Sequence, residues 1–319
     1  MDKQAGVGGD EYISVIGGAN IDIHGFPKQP LRLHDSNPGS ILISVGGVGR
    51  NIAENTARLG IHTRFISFLG DDLYGQQIMQ ACQREGVDMR HVETLRGETT
   101  GTYLSILDET GDMHVAISGM DIYERMDRAF IERQMGILEQ SSLVVLDTNL
   151  PEDVIRYTLS SLPHQKFLVD TVSTAKAVKI REMLGSFHTV KPNRLEAEAL
   201  TGIEITNRDT LERTADFLQK KGVQNVFVSL GADGTYYSDQ RSRGIMKANK
   251  PEIINVTGAG DAFIAGLVLG NLRAWDIEHK TRFAMGASLM ALAHADTINP
   301  ALSEENIAQI IEQAEIGII

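Results

Sequence analysis

The residues best suited to chemistry lie together at Asn255-Val256-Thr257-Gly258-Ala259-Gly260-Asp261. A polar segment ends there and an apolar one opens, with Phe263, Ile264, Leu267, Val268 and Leu272 recurring at helical spacing. Gly258, Ala259 and Gly260 then form a turn almost free of side chains at a helix N-terminus, and Asp261 falls in the first helical turn. Small residues let a ligand approach the backbone, and the free amides and dipole of such a terminus favour anions. A carboxylate beside an anion cradle suits phosphoryl transfer: the cradle holds the phosphoryl group while the carboxylate takes the proton of the attacking hydroxyl. A glycine-rich helix start with Asp261 as an ordinary N-terminal acid reads the same over these seven residues.

Three other stretches place polar groups where strands end. The run Tyr12 to Ile16 stops at Gly17-Gly18 and is followed by Asn20 and Asp22. Open α/β sheets put ligands at that edge, although Asn and Asp are also common turn formers. Lys191-Pro192-Asn193-Arg194-Leu195-Glu196 follows a short strand; Asn193 as N-cap with Glu196 as its partner three residues on is a complete structural account. Ser229-Leu230-Gly231-Ala232-Asp233-Gly234 is a glycine turn after another strand. Between them, Gly46-Gly47-Val48-Gly49-Arg50-Asn51 opens a helix carrying Ile52, Ala53, Thr56 and Leu59. It lacks the Lys-Ser/Thr ending of a Walker A loop and the spacing of a dinucleotide-binding turn. Each stretch is weak alone; their joint occurrence in this order is not.

The elements that must position these groups are legible as a pattern. Helices at 127–139, 151–161, 174–184, 194–201 and 209–221 alternate with short apolar strands at 143–146, 166–169, 188–190 and 226–230. Such alternation describes a parallel sheet covered on both faces. Residues 62–69 read as a strand and 73–84 as a helix. Two β-like runs, 101–107 and 113–117, flank a Gly-containing loop as a hairpin. With the proline-interrupted segment 26–45 they predict a small separate sheet, a lid over the main domain. The last fifty residues read as helical. Residues 1–10 are polar and expected to be disordered, leaving 11–319 as one domain.

Composition narrows the function. The chain has 319 residues, 42% hydrophobic and 23% charged, so a large folded core is expected. A net charge of −12 argues against a nucleic-acid or anionic-membrane surface. The single cysteine, Cys82, rules out an intrachain disulfide and reads as an inert buried thiol, and the nine histidines show no metal-ligand spacing. No run reaches the roughly 18 apolar residues of a membrane span, and no signal-peptide pattern is seen, so a cytoplasmic protein is expected. Trp275 reads as packing. Lys176, beyond the strand end at Asp170, reads as a solvated lysine, with contact to a nucleobase carbonyl as the alternative.

On Gly17-Gly18-Ala19-Asn20-Ile21-Asp22, Gly46 to Asn51, and Thr257 to Asp261, the chain is identified as resembling the PfkB-type (ribokinase-like) carbohydrate and nucleoside kinases over nearly its whole length. Within that family, Asp35-Ser36-Asn37-Pro38-Gly39, the Gly46–Asn51 form and Asn255 are most similar to pseudouridine kinases. The resemblance implies an α/β fold: a ribokinase-like three-layer α/β/α domain with a mostly parallel central sheet and a small β-sheet lid. It implies ATP with Mg2+ as phosphoryl donor and the 5′-hydroxyl of a ribosyl substrate as acceptor. Asp261 would be the base, and the amides of Gly258, Ala259 and Gly260 the anion hole. Asn20, Asp22, Gly46, Gly47 and Asn51 would hold the ribose hydroxyls, joined by Asn149. Asn193 and Glu196 would face the triphosphate, Glu196 reaching magnesium through water. Ser229, Gly231 and Gly234 would line the nucleotide, with Gly286 and Ser288 near the adenine. The lid pairs subunits in many relatives, which implies a homodimer. Potassium-activated relatives often carry Asp where this chain has Asn255, so the loss of a charge there puts a potassium site in question. Ribokinase, another sugar or nucleoside kinase, and a non-catalytic sensor on the same fold are the competing readings.

Overall fold

The computed structural model describes residues 11–249 and 251–319. The N-terminal segment expected to be disordered, 1–10, lies outside the described residues. The chain opens with β1 (Ile13–Ile16), buried along its whole length, and passes through Gly17-Gly18 into β2 (Asn20–Pro27) and β3 (Gly39–Gly46). It returns through α1 (Val48–Arg58), β4 (Thr63–Gly70), α2 (Leu73–Arg84) and β5 (Asp88–Leu95). A second excursion gives β6 (Thr102–Leu107) and β7 (Met113–Gly119).

The regular alternation follows. It comprises α3 (Arg128–Gln140), β8 (Val144–Asp147), α4 (Glu152–Ser161), β9 (Phe167–Asp170), α5 (Thr174–Ala177), β10 (Thr189–Lys191), α6 (Arg194–Thr201), α7 (Arg208–Lys220) and β11 (Asn225–Ser229). The chain ends with β12 (Thr235–Ser238), β13 (Arg243–Lys247), α8 (Ala259–Leu272), α9 (Ile277–Leu292), α10 (Glu304–Gln313) and β14 (Gly317–Ile318).

One sheet runs β14-β13-β12-β11-β10-β9-β8-β1-β4-β5. From β11 to β5 every pairing is parallel; β12, β13 and β14 extend the sheet antiparallel. Its central strands β1, β8 and β9 are mostly apolar because both faces are covered. One face packs on α1, α2, α8, α9 and α10, the other on α3, α4, α6 and α7. The result is a three-layer α/β/α domain of the ribokinase-like class.

The position of α8 explains its composition. Phe263, Ile264, Leu267, Val268 and Leu269 point to all sides and are all buried, because the helix lies between the sheet, α1 and α9. A Cβ on Gly266 would stand 2.6 Å from the Cα of Ala284, so the two helices touch backbone to backbone. Burying each large aliphatic side chain contributes about 1.5–3 kcal/mol, which makes the helix a firm base for the turn at its N-terminus.

The second sheet, β3-β2-β6-β7, is the lid. The β2–β6 pair is parallel and its two outer pairs are antiparallel. The register sorts the side chains by face. Ile23 lies opposite Ile43 and Leu104, and Leu104 opposite Ile117, giving an apolar face. Asp22 lies opposite Ser44 and Tyr103, and Tyr103 opposite Ser118, giving a polar one. The strands begin at Asn20 and reach Gly46 and Gly119, so the lid is larger than 26–45 and 101–117 and includes Asn20 and Asp22.

Other differences from the sequence reading have local causes. The helix expected over 174–184 is only α5, continued by a 3-10 segment, Val178–Ser186. Ala177, Ile180 and Met183 are buried at a spacing of three, the period of a 3-10 helix. The edge strand β5 and the hairpin β12–β13 carry mixed polar sequences that give little apolar signal. The C-terminus is not wholly helical, since Ile318 pairs with Met246 of β13.

Candidate active site

The strands β1, β8, β9, β10 and β11 end side by side, and their ends bring Gly17, just past β1, and Asp147, Asp170, Lys191 and Ser229 to one edge. That edge is where parallel α/β sheets bind ligands. Helix α8 aims its N-terminus there. Gly258 is its N-cap at φ 80, and any Cβ would collide with the Thr297 carbonyl oxygen, so only glycine fits. Ser288 Oγ donates to the Ala259 carbonyl at 2.5 Å and braces the turn from α9. A Cβ on Gly260 would lie 2.9 Å from Lys191 Nζ, so a buried ammonium sits directly against the turn.

Asp261 is 8% exposed, and its Oδ2 accepts a hydrogen bond from Asn51 Nδ2 at 2.7 Å. Burial, first, and the neighbouring Asp170 push its carboxyl up from 3.8 to about 7, against the pull of Asn51, Lys191 and Arg50. A carboxyl held near neutrality, beside a side-chain-free turn and a lysine, can accept a proton while an anion is held next to it.

The groups expected to hold a sugar form the adjoining patch. Asn20 Nδ2 donates to Asp22 Oδ1 at 2.6 Å, and burial raises the Asp22 carboxyl against the effects of Asn20, His24 and Arg50. Asp22 folds over Gly46 so closely that any side chain there would strike its carboxylate. Gly47, at φ 98, caps α1 and passes the Ala19 backbone. Asn51 joins this patch to Asp261. Asn149 stands further along: a Cβ on Gly18 would meet its Nδ2 at 3.0 Å, and its Oδ1 accepts from Lys176 Nζ at 2.5 Å. Lys176 is therefore half-buried and engaged rather than simply solvated. A cavity of about 460 Å3 opens here between the two sheets, lined by Ser118, Met120 and Tyr123 on the lid side and Asn149, Lys176 and Lys179 opposite.

The expected nucleotide residues form a second patch on the next strand ends. Asn193 and Glu196 make a full capping box, and Glu196 Oε2 also accepts from Thr171 Oγ1 at 2.6 Å. Asn193 bridges to Ser229 across the ends of β10 and β11, which brings the turn with Gly231 and Gly234 alongside. Exposed Ile253, Ile254 and Val256 lie just before the Gly258 turn. Gly286 is placed differently: a Cβ on it would meet Ile311 at 2.7 Å, so it serves the packing of α10. Two residues from Ser288 on one helix, it faces the other way. Asn255 Nδ2 donates to the Ala295 carbonyl at 2.9 Å while its Oδ1 accepts from the Thr257 amide at 3.0 Å.

Four residues without a role in the sequence reading belong to this framework. Asp147, wholly buried and raised by that burial, accepts from the Gly18 amide at 2.7 Å and the Asn149 amide at 2.8 Å. The Tyr123 hydroxyl donates to the Ala19 carbonyl and accepts from the Ala19 amide at 2.5 Å. Together they pin the Gly17-Gly18-Ala19 loop. Asp170 lies 3.5 Å from Lys191 Nζ and faces Asp261. A charged residue closing a short buried strand was the available signal, shared by Asp147, Asp170 and Lys191. Among the described residues no cluster of His, Cys, Asp or Glu could itself hold a metal ion, and no helix is long and apolar enough to cross a membrane.

Comparison with known proteins adds the lineage. The profile of the pfkB family carbohydrate kinases matches residues 10–304. The chain is 39% identical over 306 residues to the pseudouridine kinase of Escherichia coli (strain K12), covering 96% of this chain and 98% of that one. A crystal structure from Clostridium perfringens, provisionally described as a sugar kinase, is similar with a TM-score of 0.88 and 38% identity, covering 98% of both chains. The ribokinase of Arabidopsis thaliana, solved with ribose and ATP, shares the fold at a TM-score of 0.83 and 22% identity over 95% of this chain and 99% of that one.

Proposed function

The chain belongs to the pfkB family of carbohydrate kinases, and on that premise we propose that it transfers the γ-phosphate of ATP to the 5′-hydroxyl of a ribosyl substrate, pseudouridine before others. The observation that carries the reading is Asp261: a buried carboxylate, raised toward neutrality, beside a side-chain-free helix N-terminus and the Lys191 ammonium.

Asp261 takes the proton of the acceptor hydroxyl as its oxygen attacks phosphorus. The new O–P bond forms while the bond to the β-phosphate oxygen breaks, and ADP leaves with that electron pair. The amides of Gly258, Ala259 and Gly260 and the charge of Lys191 stabilise the transferring group. Most of the rate comes from positioning and charge stabilisation, as phosphoryl transfer requires little covalent work of the protein. Asn20, Asp22 and Asn51 orient the sugar hydroxyls. Glu196, already committed through Oε2 to Thr171 and Asn193, fits a magnesium ion carried by the triphosphate and reached through water, better than a metal caged by protein. Such an ion would neutralise charge on the phosphates. Ile253, Ile254 and Val256 offer an apolar surface to the nucleotide base.

Support for a nucleoside comes from the cavity beside Asn149, whose lysines can donate to the carbonyls of a pyrimidine, and from the 39% identity to a pseudouridine kinase. The apolar lid face supports pairing of two chains. A coupled ADP-release assay across ribose, uridine, pseudouridine, adenosine and fructose 6-phosphate tests the reading. Fastest turnover of pseudouridine is expected. Preference for ribose would return the chain to the sugar kinases, and binding with no ADP from any of them would favour a sensor.

A further inference from the structure

The carboxylate at the centre of the site is aimed by a side chain that never touches it. Asp261 Oδ2 receives its hydrogen bond from Asn51, and an amide can present either its oxygen or its nitrogen. Here the choice is made from behind. The Arg50 guanidinium donates through Nη2 to Asn51 Oδ1, so only the nitrogen end of that amide remains to face Asp261.

The same guanidinium has other fixed partners. Nη1 donates to Glu54 Oε2 at 2.6 Å, Nε to the Gly46 carbonyl at 3.2 Å, and Nη2 also to the Val45 carbonyl. Val45 and Gly46 are the last residues of the lid strand β3. Glu54 is held in place by Arg58, whose Nε and Nη2 reach its Oε1 at 3.0 and 2.9 Å. Arg50 itself is 3% exposed, so this planar fork sits in a dry setting where each of its three nitrogens has a partner. A lysine could supply the charge there but not the fork.

We propose that Arg50 is a positioning residue for phosphoryl transfer: it locks Asn51 as a donor to the catalytic carboxylate and makes that orientation depend on the seating of lid strand β3. The inference rests on reading Asp261 as the base. The charged groups facing Asp261 are Asp170 from β9, Lys191 from β10 and Arg50 from α1. The titratable groups facing Arg50 are Glu54 on its own helix, Asp22 from β2, Cys82 from α2 and Asp261 from α8. Losing both the cation and the fixed donor therefore raises the pH at which Asp261 takes up a proton.

The test is the pH profile of kcat/KM, measured with MgATP and the acceptor that supports the fastest ADP release. Arg50→Met is expected to lower kcat roughly 10–100-fold, the range seen when a partner that orients a metal ligand is removed, and to move the acid limb upward by about one pH unit. Arg50→Lys is expected to lower kcat with a smaller upward movement. It carries the test if Arg50→Met fails to fold. In an Asn51→Ala background the Arg50→Lys substitution should add little, because its effect passes through Asn51. An unmoved acid limb in both Arg50 variants, or full additivity with Asn51→Ala, overturns the proposal. Asp261→Asn separates the two levels. If it retains kcat, the base assignment itself falls. If it loses turnover while the Arg50 variants keep the native profile, only the role of Arg50 falls.

Discussion

Replacing Asp261 with Asn preserves shape and removes the proton acceptor. Asn51 Nδ2 can still donate to the new amide oxygen, so the site should keep its geometry. A positioned base contributes roughly 10²–10⁴-fold, about 3–5 kcal/mol of barrier, and kcat should fall by that factor with nucleotide affinity nearly unchanged. Stability should move the other way. The folded carboxyl titrates at about 7 against an ordinary 3.8, so folding favours the protonated form. Its favourable contribution is complete below 3.8 and is lost as pH rises through about 7. Above that pH the native protein bears the cost of a buried charge, whereas the Asp261→Asn protein is neutral at that position at every pH. The full rise corresponds to at most ~4 kcal/mol. The attraction of Lys191 and Arg50 is already contained in that value, so the variant should gain up to ~4 kcal/mol near pH 8.5 and about none near pH 4. Thermal unfolding at the two pH values, beside steady-state ADP release, reads both effects. Near-native kcat would remove Asp261 from the base role, and a variant less stable than the parent at the higher pH would refute the burial argument.

Gly260→Ala puts a methyl against Lys191 Nζ, and because only the tip of a flexible chain must move, kcat should fall about 10-fold or more while the melting temperature changes little. Activity in potassium chloride and choline chloride should agree within about two-fold, since Asn255 carries no charge to a cation; strong activation by potassium would refute this. Asn255→Asp should cost about 1–2 kcal/mol in thermal unfolding, because the Ala295 carbonyl loses its donor. Ile43 and Ile117 are 46% and 66% exposed on the apolar face of the lid, so Ile43→Asp with Ile117→Asp should convert a dimer to monomers in sedimentation equilibrium. A parent protein that is already monomeric would defeat that expectation.

What the sequence disclosed follows from how each contact works. Glycine stretches were legible because close backbone approach excludes side chains. The turn at Gly258 and the packing of Asp22 over Gly46 both leave that mark. The alternation after residue 127 was legible because buried parallel strands are nearly all apolar. Asp147, Asp170 and Lys191 were not given roles, since one charged residue after an apolar run looks like ordinary turn chemistry. Arg50 stood inside a recognised motif, yet its function depends on Val45, Gly46, Asn51 and Glu54 converging around one guanidinium. Spacing along a chain does not report that convergence. Hairpin β12–β13 escaped because Tyr236 and Tyr237 are buried on opposite faces within a mixed sequence, which mimics no single period.

The division of the lid into a polar and an apolar face makes it sensitive to the parity of insertions and deletions. Side chains alternate along each strand, so losing one residue inside β2 turns Asp22 outward and its isoleucine neighbours toward the polar face. Losing two restores the faces and only shortens the strand. The connection at 28–38 has no such arithmetic, because most of it is exposed and unpaired with either sheet. Length variation among related chains should therefore gather in that connection, and within the lid strands it should come in twos.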